Sequence, residues 1–246
     1  ASSNPAAPTK KITRARMKLL ALSCFWLRHC DLVRLRLRSC VGHTAMQPVE
    51  LAKAYRLLNH GPTVLVTAAH AGQRNVMAAA WNMPLDFQPP KVAVVIDRNT
   101  FTRGLIDASR CFGLSVPRAG MLAAVMKAGS LSGRELAAQG LDKFDACGLQ
   151  AVQPAAAHDD DAACSVAERA TPLVDGCLAW LLCRLLPEPE VAARHDLFLA
   201  EVIAAWADPT AFSDGRWHLP ADGSQRSIHH VAGGAFFVTG APIQAP

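Results

Sequence analysis

Residues 60–82 read HGPTVLVTAAHAGQRNVMAAAWN, and the order of residue types within them decides the fold class. Residues 63–69 are apolar and β-branched, 70–74 carry turn chemistry, and 75–82 are largely apolar again. Two such runs around a short polar break read as an antiparallel hairpin. Working outward, prolines 84, 89 and 90 punctuate the chain before a third strand at 91–97. Residues 111–116, 176–186, 197–205 and 235–239 supply further strands. Upstream, Pro48 is expected to open a short helix with Val49, Leu51, Ala52, Tyr55 and Leu58 at helical spacing, ending at Asn59–Gly61. Short helices are also expected at 102–109, 121–128 and 133–139. Many strands, Gly/Pro turns and only short helices describe a mainly β fold, an antiparallel barrel rather than a doubly wound sheet.

The chain has 246 residues, 51% hydrophobic and 18% charged, with mean hydropathy +0.15. That is enough apolar material for a core and excludes a mainly disordered chain. No run reaches the roughly 18 apolar residues of a membrane-spanning helix. The net charge of +5 is unevenly placed. Residues 1–45 hold nine Lys and Arg against the single acid Asp31, whereas the remaining 201 carry 16 basic and 19 acidic groups. A basic extension, 1–45, therefore precedes a mildly acidic body, 46–246, and the overall pI of 8.9 says nothing of nucleic-acid binding by that body. The extension reads as a dispensable or disordered leader, a basic anchor, or a signal-like segment without a convincing cleavage site. The eight cysteines form neither a C-x-x-C pair nor a zinc-ligand pattern, which favours reduced thiols in a cytoplasmic protein.

No G-x-G-x-x-G follows a strand, and the P-loop, G-x-S-x-G and H-E-x-x-H motifs are absent from the sequence. Chemistry is left to a few segments. In 97–103 (DRNTFTR), a strand end meets a helix start. Thr100, Thr102, Arg98, Arg103 and the freed N–H groups suit a phosphate; equally, a threonine cap beside solvated arginines accounts for them. Asn75 with Ala80, Trp81 and Asn82 suits a planar ligand approaching the backbone, or a buried core tryptophan. His195 before a strand is an anion contact or a local cap. His229 and His230 are adjacent on a strand and so face opposite ways, which argues against a shared metal. The run His158–Asp161 reads as a solvated loop.

Taken in order, HGPTVLVT (60–67), NVMAAAW (75–81), PPKV (89–92), Thr102–Arg103 with Ile106, FGLSVP (112–117), Ser132–Gly133, DKF (142–144), HDLF (195–198) and GGAFFVTG (233–240) resemble the flavin reductase-like family. The resemblance spans about 46–240. It implies an FMN-binding split β-barrel with short peripheral helices, and a homodimer with FMN near the interface. It further implies an NADH- or NADPH-dependent flavin or ferric reductase; the same family includes flavoredoxin-like carriers reduced by a protein partner, and a non-redox FMN-sensing module uses the same scaffold. Neither nucleic acid nor membrane is expected as a partner. By the same resemblance, Asn75, Ala80, Trp81 and Asn82 meet the ring or ribityl chain. Thr102, with Arg98, Thr100 or Arg103, holds the phosphate. Lys143 faces the phosphate or the pyrimidine edge, and His195 and Phe236 complete the pocket. The chemistry is then carried by the flavin N5, with no protein acid or base. Alanines 78–80 depart from the family's Ser/Thr there, and residues 150–175 match nothing, forming a cover or a variable loop.

Overall fold

The computed structural model describes residues 45–153, 165–243 and 245. The basic extension, apart from Ala45, lies outside them, as do the 158–161 run and Cys164. The strands are β1 (Gln47–Pro48), β2 (Val64–His70), β3 (Gln73–Ala79), β4 (Asn82–Phe87), β5 (Pro90–Val95), β6 (Cys111–Val116), β7 (Ala151–Val152), β8 (Leu173–Val174), β9 (Ala179–Leu185), β10 (Leu197–Ala207), β11 (Phe212–Ser213), β12 (Arg216–Trp217), β13 (Ile228–Ala232) and β14 (Ala235–Val238). The α-helices are α1 (Leu51–Ala54), α2 (Phe101–Ser109), α3 (Leu122–Ser130), α4 (Gly133–Ala138), α5 (Lys143–Cys147), α6 (Val166–Ala170) and α7 (Pro189–His195).

The main sheet runs β3-β2-β6-β9-β10-β5-β4, with β1 beside the end of β10, and its pairs are antiparallel. Strand alternation sorts the side chains into two cores. Val64, Val66 and Ala68 of β2, Phe112 and Leu114 of β6, and Leu181 and Cys183 of β9 fill the inside of the curled sheet. Leu65, Trp180 and Leu182 face the other way, against Val125 and Ala128 of α3 and Phe144 of α5. In β10 the parity changes. Phe198, Ala200 and Val202 point inward, then Ala205 and Ala207 do. A bulge between Val202 and Ala204 supplies the extra residue; without it the second half would turn its inward residues outward.

Several expectations need correction. Pro48 does not start a helix: it lies in β1, opposite Trp206, and the helix begins at Leu51. The Pro-rich stretch is not mere punctuation. Residues 82–87 form β4, whose proline is tolerated because the strand is an edge and is bulged between Pro84 and Asp86. The expected 70–74 turn is tighter, because Ala71 and Gly72 both take positive φ and His70 already pairs with Gln73. Helix α7 was not foreseen. Pro189 occupies its first turn, where the missing N–H costs nothing.

Candidate functional site

A cleft opens between β3 on one side and α3, α4 and the start of α2 on the other. It has two halves, which share Ala78 and Gly129. The polar half, about 170 Å³, is bounded by Asn75 of β3, residues 99–102, Ser132–Arg134 and Lys143. The apolar half, about 270 Å³, is bounded by Ala78–Ala80, Val125, Met126 and the hairpin residues His230, Gly233 and Phe236.

The polar half is built for an anion. Among the described residues no carboxylate lines it, and residues 99–102 at the start of α2 border it, so the positive end of the helix dipole lies beside it. Lys143 is buried, 5% exposed. Its Nζ donates to Ala128 O at 2.8 Å, in the last turn of α3, and it makes no ion pair among the described residues. Burial holds the ammonium below the usual lysine range, partly opposed by Cys147. Burial in turn pushes the Cys147 thiol up, against the pull of Lys143 and Lys127.

Asn75 Nδ2 donates to Thr102 Oγ1 at 2.8 Å, with both side chains buried. Asn75 Oδ1 is buried without a partner among the described residues. Gly133 is pressed against this amide: a Cβ there would stand 2.4 Å from Oδ1. Any larger residue would therefore displace Asn75. An orphaned amide oxygen and an uncompensated cation in one cleft are costs that folding alone does not explain. An anionic group would relieve the cation, and a hydroxyl or N–H donor on the same ligand would relieve the amide oxygen.

Six of the residues singled out from sequence meet at this cleft: Asn75, Ala80, Thr100, Thr102, Lys143 and Phe236. Thr100 borders it, but its hydroxyl is occupied, donating to Asp97 O and accepting from Arg103 N as the cap of α2. The other five lie elsewhere. The Arg103 guanidinium bonds Ile96 O, Ala192 O, Asp107 and Asp196, and lies 4.4 Å over the Phe198 ring. It is a structural clamp between α2 and α7. Arg98 is exposed and held by Asp196 and Ala193 O. His195 ends α7, exposed, away from both halves of the cleft. Trp81 is 75% exposed, so it is neither a core residue nor a cleft wall. The Asn82 amide pins Pro62 O at 2.9 Å.

Sequence reasoning missed Arg134 and His230 as cleft residues. The S-x-x-E pattern of 132–135 was the available signal for the first, since it marks a helix start; Ser132 Oγ accepts from Glu135 N. Nothing local announces His230, whose ring meets Phe236 edge-on at 5.0 Å across the hairpin. The described parts of 150–175 do not border the cleft. Ala151–Val152 and Leu173–Val174 pair with each other, and α6 follows a complete capping box.

The same arrangement of strands occurs in known proteins. A solved FMN-binding domain of a flavin reductases-like enzyme from Shewanella baltica OS155 is 45% identical, with 83% of this chain and 99% of that one covered and a TM-score of 0.72. An FMN-binding protein from Thermus thermophilus, solved with bound 1-cyclohex-2-enone, is 25% identical with a TM-score of 0.57, covering 76% of this chain and 90% of that one. An uncharacterized Escherichia coli K12 protein, YddH, is 39% identical over 201 residues, 80% of this chain and 97% of its own. The model of the flavin reductase like domain matches residues 56–223, from the loop before β2 to the approach to β13. With that match covering the barrel and both halves of the cleft apart from the β13–β14 hairpin, the chain belongs to the flavin reductase-like family, and its fold is that family's split barrel.

Proposed function

We propose that this chain binds FMN in the cleft and is an oxidoreductase that takes electrons from NADH or NADPH and delivers them to a flavin or ferric acceptor. The observation that carries the reading is the polar half of the cleft. A buried Lys143 without a counter-ion among the described residues, and the Thr102 hydroxyl, face a space that no described carboxylate lines, beside a helix N-terminus. These residues fit a phosphate. Lys143 would supply the charge, Thr102 a hydroxyl already oriented by Asn75, and the first turn of α2 its N–H groups.

Ala78, Ala79 and Ala80 leave a low wall along β3, on which a planar ring can lie close to the backbone. Phe236 and His230 bound the same space from the hairpin side and limit the access of water. FMN supplies, when bound, a ring that accepts hydride at N5. The side chains here orient and shield it, and no acid or base is needed from the protein.

A second copy of the chain is the partner best matched to the surface. Trp81, Met83, Leu85 and Phe87 are 75, 53, 45 and 63% exposed, on or beside edge strand β4. A long apolar edge left uncovered would invite uncontrolled pairing. The stripe begins at Trp81, next to Ala80 of the cleft, so a homodimer built on it would adjoin the cleft mouth.

The test is an anaerobic visible spectrum of the FMN-loaded protein before and after NADH, then NADPH. Prompt bleaching of the flavin band is expected with one of them. A bound flavin that neither reduces would overturn the reductase reading in favour of an electron carrier, and failure to retain FMN would overturn the assignment of the cleft.

A further inference from the structure

The hairpin that closes the apolar half is tied to the barrel by four side chains whose hydrogen bonds have a definite direction. His229 Nδ1 lies 3.0 Å from Gly61 O, which can only accept. Nδ1 therefore carries the proton, and in the neutral ring Nε2 is an acceptor. Thr239 Oγ1 lies 3.1 Å from it and 3.3 Å from Ser227 O, and its one proton goes to one of these two acceptors. Ser227 Oγ then donates to Thr239 Oγ1 at 2.6 Å, and His60 Nε2, at 2.8 Å, donates to Ser227 Oγ. The chain ends at His60 Nδ1, a buried acceptor without a partner among the described residues.

We propose that His60, Ser227, Thr239 and His229 form a latch that closes only while the His60 imidazole is neutral, so that acidification releases the β13–β14 hairpin and opens the apolar half of the cleft. His60 Nε2 is committed to Ser227 Oγ, so a proton arriving at His60 must sit on the buried Nδ1, where nothing among the described residues accepts its hydrogen. An unpaired buried N–H costs more than an unpaired lone pair, because a charged or strongly polar donor loses its water.

The surroundings offer no compensation. The His60 and His229 rings face each other at 5.6 Å, and Trp217 meets His60 edge-on at 4.9 Å. Arg226 donates to Thr239 O from one side, and Arg56 holds the Trp217 hairpin through Gly215 O. That hairpin also carries Asp214 and Arg216, and His218 beyond it is engaged with Ser213. Among the described residues no carboxylate is bonded to either imidazole. Accordingly, burial, followed by the facing His229, lowers His60 to about 4. Apart from the latch, bonds at Thr63 tie the hairpin to the barrel, one from its N–H to Ile228 O and one from His230 N to its hydroxyl, and Ile228 packs into the outer core.

The latch itself needs no ligand; its consequence for ligand rests on the reading of the cleft as a flavin site. Hydrogen exchange of the ligand-free protein, corrected for intrinsic rates, should show protection of 228–238 falling at least tenfold between pH 7.5 and pH 4.5. The amides of β6 and β9 should change less than threefold. In His60→Gln the side-chain amide can still donate toward Ser227 and carries no titrating group, so the fall should be absent. Thr239→Val should leave the hairpin weakly protected at both pH values. A hairpin insensitive to acid in the native protein, or an equal fall in His60→Gln, overturns the latch. FMN titrated in parallel should bind more weakly only where the hairpin opens. Unchanged FMN affinity with an open hairpin would support the latch and refute the flavin reading of the apolar half.

Discussion

Replacing Lys143 by Met should separate ligand affinity from stability, because the ammonium works against one and for the other. Its single hydrogen bond, 2.8 Å to Ala128 O, is worth about 1 kcal/mol to the fold, with a few tenths more from the helix C-terminus. Against this stands the cost of keeping a buried cation that has no ion partner among the described residues. The two nearly cancel, and a methionine of similar length fills the space, so unfolding free energy in the absence of ligand should move by about 1 kcal/mol or less. Ligand binding has no such cancellation. A charged hydrogen bond to phosphate is worth about 1.5–3 kcal/mol, so FMN should bind roughly 10- to 150-fold more weakly. Riboflavin, which lacks the phosphate, should lose less than about threefold, since the polar half is where Lys143 sits. Urea unfolding of the ligand-free protein and fluorescence titrations with FMN and riboflavin measure all three quantities. Equal losses for FMN and riboflavin would refute the assignment of Lys143 to the phosphate. A large loss of stability would refute the account of its burial.

Three further outcomes are expected. Gly133→Ala puts a methyl 2.4 Å from Asn75 Oδ1, so Asn75 must leave Thr102, and FMN affinity by titration should fall by about 1–2 kcal/mol. Arg103→Ala should lower the urea midpoint by the equivalent of about 2–4 kcal/mol, since it leaves Ile96 O and Ala192 O without their donor, removes the partner of Asp107 and leaves Asp196 with Arg98 alone. FMN affinity of the folded fraction should stay within about threefold, because the guanidinium faces away from the cleft. His60, lowered from 6.5 to about 4, keeps its proton off in the fold while the unfolded chain takes one up. Its contribution is therefore full above pH 6.5 and lost as pH falls toward 4. It amounts to about 2 kcal/mol after allowance for partial exposure, and urea unfolding of His60→Gln at pH 7.5 and pH 4.5 should lack that part of the slope.

The elements that were legible are those where local pattern and tertiary burial agree. Cys111–Val116 is bounded as expected because all six residues are buried and apolar or small. The hairpin 63–82 was legible from its two apolar runs, and α2 from its threonine cap. Strand β4 was hidden by Pro84, which forbids a central strand but not an edge. The bulge in β10 was equally invisible, since in a strand of eleven residues with Glu201 as the one polar member too little alternation is left from which to read a change of face.

The candidate site divides in the same way. Asn75 and Thr102 stand out by residue type, since a polar group set within an apolar or helix-start segment asks for a partner, whereas Lys143 was reached only through the family resemblance. Whether that partner is a ligand or the protein itself is a question of direction, which sequence does not carry. Arg98, Arg103 and Thr102 lie within six positions, yet Thr102 faces the cleft while both arginines close on Asp196. Helical rotation alone places neighbours on different sides.

Sequence by itself determined a mainly antiparallel barrel, short helices around it and a cluster of anion-suited residues near the start of α2. Those properties follow from side-chain periodicity and cap chemistry, which act over a few residues. Tertiary structure alone decided which of these groups share one space. It set Lys143 against α3, seated Gly133 on Asn75, brought His230 and Phe236 across from the far end of the chain, and closed His60 onto Ser227 at a separation of 167 residues. Such contacts depend on how the barrel curls and where its bulges fall. They are properties of the whole packed sheet, and no local window of sequence contains them.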